Sequence, residues 1–178
     1  MKMVKQDIIN TFCEWTAFSS TRSGAPLKSR IDVYPLIRLP RYDEILSGDI
    51  IDLKEFEDWH TKSVNEICTS RSEMNIGWAV KLINVYLKGK VYIAGEGREG
   101  LAGLIHPPID GGLWNGIKKY CTSNNHKNIM KKTHTVTTIS GIKSVETYKT
   151  IIEGCRELSN ELNCSLIEVE QLWLGTEY

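Results

Sequence analysis

Residues 75–89 read NIGWAVKLINVYLKG, and this stretch decides the fold of the chain. Its apolar positions cover most sides of a helix instead of forming one stripe, which is typical of a helix that other elements enclose. Asn75 or Ser72 is placed to cap the start, and Gly89 marks the expected end. Residues 90–94 are then either a short strand or the next turn. The stretch therefore predicts a buried central helix.

Segments on both sides of this stretch carry helical signals. Their bounds are residues 4–19, 53–70, 99–105, 110–120, 145–162 and 166–173. In the first segment the apolar stripe that we expect to be buried consists of Val4, Ile8, Ile9, Phe12, Trp15 and Phe18. No convincing run of alternating apolar and polar residues indicates a sheet. The sequence therefore predicts an all-α fold, a single compact multi-helix domain over residues 1–178.

Two segments have the composition of loops. Residues 19–41 contain Gly24, Pro26, Pro35 and Pro40, which interrupt any repeat, and we expect an extended basic loop there. Residues 121–140 are rich in Asn, Thr, Ser and Lys, and we expect an irregular lysine-rich loop.

The composition excludes several classes of protein. Of the 178 residues, 41% are hydrophobic and 25% are charged, unlike disordered, collagen-like or coiled-coil chains. No apolar run reaches about 18 residues and the first residues do not resemble a signal peptide, so we expect an intracellular protein, cytoplasmic or nuclear, without a membrane partner. The five cysteines form no C-x-x-C pair, which predicts free thiols and no metal site.

The charges are unevenly distributed although the net charge is zero. Residues 111–145 contain no Asp or Glu and six lysines, and residues 22–41 contain five basic residues against one Asp. Such basic segments favour contact with phosphates, and the alternative is an ordinary solvated surface. The candidate nucleic-acid-binding residues are Arg22, Lys28, Arg30, Lys118, Lys119, Lys127, Lys131 and Lys132.

A glycine motif, G-x-G-x-x-G, occupies residues 95–100. In a dinucleotide-binding fold this motif opens a helix of several turns, whereas Pro107 and Pro108 end any helix that begins here. We therefore interpret it as a glycine-rich turn.

Lys81 and Asp110 carry the strongest chemical signal. Asp110 follows the sequence HPPI and precedes a predicted helix, where free backbone N–H groups favour a carboxylate. Lys81 lies in the apolar central helix, where burial would lower the pKa of its amine and make it a nucleophile. The alternatives are a plain helix cap for Asp110, and for Lys81 a side chain that reaches water or pairs with a carboxylate.

The order of these residues resembles a known superfamily. A helix reading AVKL with aromatic residues around it, followed by PID at the start of another helix, is similar to the helix-hairpin-helix DNA glycosylases, especially their archaeal 8-oxoguanine branch. The resemblance covers about residues 70–118. It implies that a lysine attacks the sugar C1′ and that Asp110 stabilises the cationic sugar. The family's catalytic lysine falls on Met74, Lys81 matches a second lysine, and the family's glycine hairpin is missing before Asn75.

The resemblance implies a DNA glycosylase-like protein that cleaves or recognises the N-glycosidic bond of a modified or damaged nucleobase, a hydrolase or lyase of DNA repair. The expected partner is DNA or a modified nucleotide, and no cofactor or metal is needed. Asp110 and Lys81 are the catalytic candidates, and the candidates for substrate binding are Asn75, Trp78, His106 and Trp114. The alternatives are a non-enzymatic helical nucleic-acid-binding module and a helical protein-interaction domain.

Overall fold

The structure, a computed structural model, describes residues 2–21 and 24–175, with side chains from residue 4 onward. Nine α-helices lie in this part of the chain: α1 (Lys2–Thr21), α2 (Arg30–Arg38), α3 (Asp43–Leu46), α4 (Leu53–Ser70), α5 (Ile76–Leu87), α6 (Leu101–Leu104), α7 (Gly111–Ser123), α8 (Lys127–Thr133) and α9 (Val145–Glu161). A π-helical turn, Lys88–Ile93, extends α5, and 3-10 helices cover Ile139–Gly141 and Ile167–Leu172. The described residues contain no strand, and the all-α prediction is confirmed.

Helix α5 lies at the centre of one hydrophobic core, in contact with α1, α2, α4 and α9. All of its residues except Ile76 and Val85 are buried, as the apolar sequence predicts. Asn75 Oδ1 accepts a hydrogen bond from Trp78 N at 3.1 Å, so Asn75 is the cap. Residues 90–94 continue the helix as a turn and do not form a strand.

Helix α1 is present, but its buried face differs from the prediction. Of the expected stripe, Val4, Ile8, Phe12 and Trp15 are 62%, 64%, 49% and 44% exposed. Phe18 is buried as predicted and Ile9 is half-buried, and the small residues Cys13 and Ala17 complete the buried face. Small side chains let α1 approach α5 closely, and Cys13 Sγ lies against Gly89. Periodicity locates an apolar stripe but does not say which neighbour covers it, which is why the prediction was wrong for Val4, Ile8, Phe12 and Trp15.

Both predicted loops contain helices, which corrects the interpretation of residues 19–41 and 121–140. Residues 19–21 end α1, and α2 begins after Ser29, whose Oγ accepts a hydrogen bond from Asp32 N. Burial of three apolar side chains outweighs the hydrogen bond that Pro35 removes inside α2. Helix α7 extends to Ser123, and α8 follows, held against α9. Tertiary contacts thus stabilise helices that local propensity does not predict.

The glycine motif of residues 95–100 forms a turn, as the sequence predicts. Its three glycines have φ values of +69°, +118° and +86°, a conformation that favours glycine. The predicted helix over residues 166–173 is a 3-10 helix. All five cysteines are free thiols. Within the described ranges no helix combines the length and the apolar character needed to cross a membrane.

Candidate active site

A cleft of about 450 Å³ opens between α1, α5 and the segment before α7. Apolar walls formed by Phe12, Ile93, Pro108 and Trp173 surround four charged side chains, Lys81, Lys88, Asp110 and Glu170. The volume is within the range of cavities that bind small molecules. The cleft therefore combines an apolar wall with a small number of charged groups.

Lys81 reaches this cleft from the central helix and is only 8% exposed. Its Nζ lies 3.8 Å from Asp110 Oδ2 and 5.8 Å from the centre of the Trp78 ring. None of the described residues forms a hydrogen bond with this Nζ. Burial lowers the pKa of Lys81, and the negative charge of Asp110 opposes that effect only in part. The side-chain amine of Lys81 therefore loses its proton more easily than the amine of a lysine in water.

Asp110 caps α7 and presents its two carboxylate oxygens to different partners. Oδ1 accepts hydrogen bonds from Leu113 N and from Trp173 Nε1, both at 3.0 Å. Oδ2 faces Lys81. Hydrogen bonds to Oδ1 therefore fix the position of the side chain, while Oδ2 faces the amine of Lys81 and the cleft.

Lys88 and Glu170 form a second charged pair in the same cleft. Lys88 follows Lys81 by two helical turns, and its Nζ lies 2.5 Å from Glu170 Oε2. Burial raises the pKa of Glu170, and the nearby positive charge of Lys88 opposes that rise. This close pairing neutralises Lys88, whereas the ion pair that Lys81 forms among the described residues is the longer contact with Asp110.

Behind the cleft, Asn84 is fully buried and makes three hydrogen bonds. Its Nδ2 donates to Pro107 O at 3.2 Å and to Tyr148 Oη at 2.8 Å. Its Oδ1 can only accept, so the proton in the 2.9 Å contact with His60 is carried by His60 Nε2. Burial, followed by the charge of His106, lowers the pKa of His60 to about 3, so this imidazole is neutral.

His106 continues this buried network away from the cleft. Its Nδ1 lies 2.9 Å from Tyr148 Oη, and its Nε2 lies 3.1 Å from Glu57 Oε1. Burial lowers the pKa of His106. Burial alone would raise the pKa of Glu57, but hydrogen bonds and charge from His106 and Arg156 lower it to about 2. His106 therefore supports the segment that leads to Asp110 and does not line the cleft.

The other predicted substrate-binding residues have structural contacts. Asn75 Nδ2 donates to Ser140 O at 2.9 Å, in addition to capping α5. Trp114 is 3% exposed, and its Nε1 donates to Thr133 O at 2.8 Å. Trp78 is buried, and its ring faces Lys81 Nζ. Of these four candidates, Trp78 is the one whose ring lies against Lys81, whereas Trp114 meets Asp110 through the backbone, with Trp114 N donating to Asp110 O at 2.9 Å.

The basic candidates lie mostly at the surface. The exposed ones are Lys28, Arg30, Lys118, Lys119, Lys127 and Lys131. Lys132 is paired with Glu153 at 2.6 Å and with Glu157 at 2.7 Å, so its charge is already compensated. Arg22 lies outside the described residues.

Sequence reasoning missed Phe12, Lys88, Glu170 and Trp173 as parts of this cleft. Phe12 and Trp173 belong to apolar patterns that predict core packing. Glu170 is far from the other charged residues in the sequence, and no spacing rule connects it to Lys88. The spacing of Lys81 and Lys88 by seven residues was the one available signal, because it places both amines on one helical face.

Comparisons with known protein families, with curated proteins and with solved structures find no match to this chain. Within the described residues, no group of three or more His, Cys, Asp and Glu side chains is arranged to hold a metal ion.

Proposed function

We propose that the protein is a DNA glycosylase-like enzyme that acts on the N-glycosidic bond of a modified or damaged nucleobase. The observation that carries this proposal is the pair formed by Lys81 Nζ and Asp110 Oδ2, 3.8 Å apart in an apolar cleft. A buried amine beside a fixed carboxylate is suited to attack a carbon that becomes positively charged. The sugar C1′ of a nucleoside is such a carbon.

The reaction assigns one role to each group. The neutral amine of Lys81 forms a bond to C1′ while the bond from C1′ to the base nitrogen breaks, and the base leaves with the electron pair and takes a proton from water. Asp110 Oδ2 stabilises the positive charge that develops on the sugar. Nζ then loses its two protons to solvent while the C1′–O4′ bond breaks and O4′ keeps its electron pair and takes a proton, which opens the sugar ring and leaves an imine between Nζ and C1′. The lowered pKa of Lys81 supports the first step, because only the neutral amine is a nucleophile.

The walls of the cleft support a flat, weakly polar substrate group. Phe12, Ile93, Pro108 and Trp173 provide apolar surface on several sides of the charged pair. Enzymes that act on bases hold a nucleobase that has been flipped out of the DNA duplex in similarly apolar surroundings. The proposal therefore places the base in the cleft and the sugar beside Lys81.

The test is reductive trapping of the imine. The protein is incubated with duplexes that contain an abasic site or a damaged base, sodium borohydride is added, and the covalent adduct is mapped by peptide mass spectrometry. We expect an adduct on Lys81 that is absent in Lys81→Ala and unchanged in the control Lys62→Ala, an exposed lysine of α4. Asp110→Asn keeps the helix cap and should slow turnover of the base-containing substrate by about 100-fold or more, to a residual rate that single-turnover kinetics can still follow.

Two results would overturn the proposal. The first is an adduct that maps to surface lysines and persists in Lys81→Ala. The second is the absence of an adduct with the abasic duplex under conditions in which the protein binds it.

The second candidate is a non-enzymatic nucleic-acid-binding module. The observation that favours it is the set of exposed lysines on α7 and α8, Lys118, Lys119, Lys127 and Lys131. Such a module would bind DNA with an affinity that falls steeply as salt rises, and would give no adduct on Lys81. The trapping experiment therefore separates the two candidates.

A further inference from the structure

The indole of Trp173 reaches back to Asp110 from the C-terminal end of the described chain. Trp173 Nε1 donates to Asp110 Oδ1 at 3.0 Å, and Leu113 N donates to the same oxygen at 3.0 Å. A helix cap needs only the bond from Leu113, which lies three residues after the cap. The bond from Trp173 is additional, and it comes from a different element.

The two hydrogen bonds to Asp110 Oδ1 also fix the direction in which Asp110 Oδ2 points. With Oδ1 held from two directions, the carboxylate cannot rotate without breaking at least one hydrogen bond. Oδ2 is then left facing Lys81 Nζ. The separation of roles between the two oxygens thus depends on Trp173 as well as on the helix.

The segment that carries Trp173 is fitted to α7 by two glycines. Leu174 N donates to Gly112 O at 3.2 Å. A Cβ at Gly112 would overlap the Trp173 indole, and a Cβ at Gly116 would overlap the backbone carbonyl of Leu172. These glycines lie one turn apart on the same face of α7. The helix surface therefore has the shape that allows the segment to lie directly on it.

Trp173 combines a place in the cleft wall with a hydrogen bond to Asp110. It is 47% exposed, similar to Trp15 of α1 at 44%, whereas Trp59, Trp78 and Trp114 are 5% exposed or less. Exposure therefore does not distinguish Trp173 from Trp15. Trp173 differs because it lines the cleft and because its Nε1 donates to Asp110 Oδ1.

We propose that Trp173 is a positioning residue of the active site: its indole N–H orients Asp110 so that Oδ2 faces Lys81, and the C-terminal segment is thereby part of the site. This inference rests on the proposed function for its catalytic consequence. Its structural part, the orientation of Asp110 relative to Lys81, has a readout that does not require turnover.

The central variant is Trp173→Phe, which keeps an aromatic ring in the cleft wall and removes the N–H. Trp15→Phe is the matched control, because Trp15 is a 44% exposed tryptophan of α1 outside the cleft lining. Gly116→Ala is the second variant, and it displaces the segment while leaving both Trp173 and Asp110 in the sequence. Circular dichroism and thermal unfolding of each variant establish that it is folded.

The first readout is the single-turnover rate of imine formation with a damaged-base duplex. We expect Trp173→Phe to slow this rate by about 10- to 100-fold, the effect of losing one hydrogen bond to a charged group, with DNA affinity within about twofold of wild type. Gly116→Ala should give a similar loss, and Trp15→Phe none. In the Asp110→Asn background, Trp173→Phe should cause little further loss, because both changes remove the same function.

The second readout is the pH dependence of Lys81 labelling by an amine-reactive reagent, followed by mass spectrometry. Asp110→Asn removes the negative charge nearest to Lys81 and should move the labelling midpoint to lower pH. Lys88 and Glu170, the other charged groups in the cleft, are unchanged in these variants. Trp173→Phe should shift the midpoint in the same direction by a smaller amount, because Asp110 is then free to turn away.

The outcomes separate the two proposals. If wild type forms no adduct, the proposed function fails, and a midpoint shift in Trp173→Phe still supports the positioning role. If wild type forms the adduct and Trp173→Phe changes neither the rate nor the midpoint, the positioning role is overturned and the proposed function stands. A rate loss that adds fully to that of Asp110→Asn also overturns it.

Discussion

Asn84 Nδ2 donates a hydrogen bond to Pro107 O at 3.2 Å, and this contact joins the two halves of the candidate active site. Asn84 lies three residues after Lys81 on α5, and Pro107 lies three residues before Asp110. The bond therefore ties the helix that carries the amine to the segment that carries the carboxylate. Because Asn84 is fully buried, water does not compete for this contact.

Removing the Asn84 side chain should destabilise the protein strongly. Asn84→Ala leaves Tyr148, His60 and Pro107 O with unmade buried hydrogen bonds, and we expect the free energy of unfolding to fall by about 3 kcal/mol. Urea denaturation measures this change. Asn115→Ala, at an exposed position of α7, is the control and should cost less than about 1 kcal/mol. Equal losses in the two variants would show that the network contributes no special stability.

The buried His60 should make the protein less stable in mild acid. In the unfolded chain this imidazole takes up a proton near pH 6.5, whereas in the folded protein its pKa is about 3. Between these values the unfolded state binds more protons, so the stability from neutral His60 is complete above pH 6.5 and falls as pH decreases. At pH 5 the loss amounts to about 2 kcal/mol. The lowered pKa of His106 acts in the same direction, and Glu57 adds a further loss below about pH 4.5.

Urea denaturation at pH 7, 6 and 5 tests this dependence. His60→Gln should have a lower stability at pH 7 but a flatter dependence on pH than wild type. His126→Gln, outside the core, is the control and should keep the wild-type dependence. A wild-type stability that does not change over this range, or an equally steep dependence in His60→Gln, would contradict the prediction.

A lysine at position 74 should not create a catalytic group. The glycosylase resemblance places the family's catalytic lysine on Met74, but Met74 is 3% exposed and does not line the cleft. Met74→Lys would bury a charge without a partner, and we expect a loss of about 3 kcal/mol or more in unfolding free energy. Met74→Leu should cost less than about 1.5 kcal/mol. Adduct formation restored by Met74→Lys in a Lys81→Ala background would refute this and favour the family position.

The exposed lysines of α7 should determine how DNA binding depends on salt. Lys118→Ala with Lys119→Ala removes two charges from the helix that begins at Asp110. We expect the slope of log affinity against log salt to become shallower by about two. Lys54→Ala with Lys62→Ala is the control, since it removes the same charge from α4. Fluorescence anisotropy at several salt concentrations gives both slopes, and identical slopes for the two double variants would exclude a phosphate contact at α7.

Local sequence signals predicted most of the helices. The predicted positions Asn75 and Asp110 accept hydrogen bonds from backbone N–H groups at the starts of α5 and α7, and the structure shows that Asp52 and Ser144 do the same for α4 and α9. These signals are reliable because a cap and the helix that it begins are neighbours in the chain. Helix α8 was missed because it has only seven residues, too few to be stable alone, and gains its stability from contact with α9.

The cleft could be predicted only in part. Lys81 and Asp110 were identified because each has a local signal, an amine in an apolar helix and a carboxylate at a helix start. Trp78 was singled out as an aromatic residue that could stack a base, and its ring lies against Lys81 Nζ although it does not line the cleft. Trp173 has no such signal, since its partner Asp110 lies in a distant part of the chain.

The sequence by itself determined that this protein is helical and that α5 is buried, and it singled out Lys81 and Asp110 as candidate site residues. These properties follow from composition, apolar periodicity and capping, which act over a few residues. Only the tertiary structure decided which face of α1 is buried, that Lys81 lies beside Asp110, and that Trp173 holds the carboxylate. Such relationships depend on how whole helices pack, and packing energy is shared among residues that are far apart in the chain.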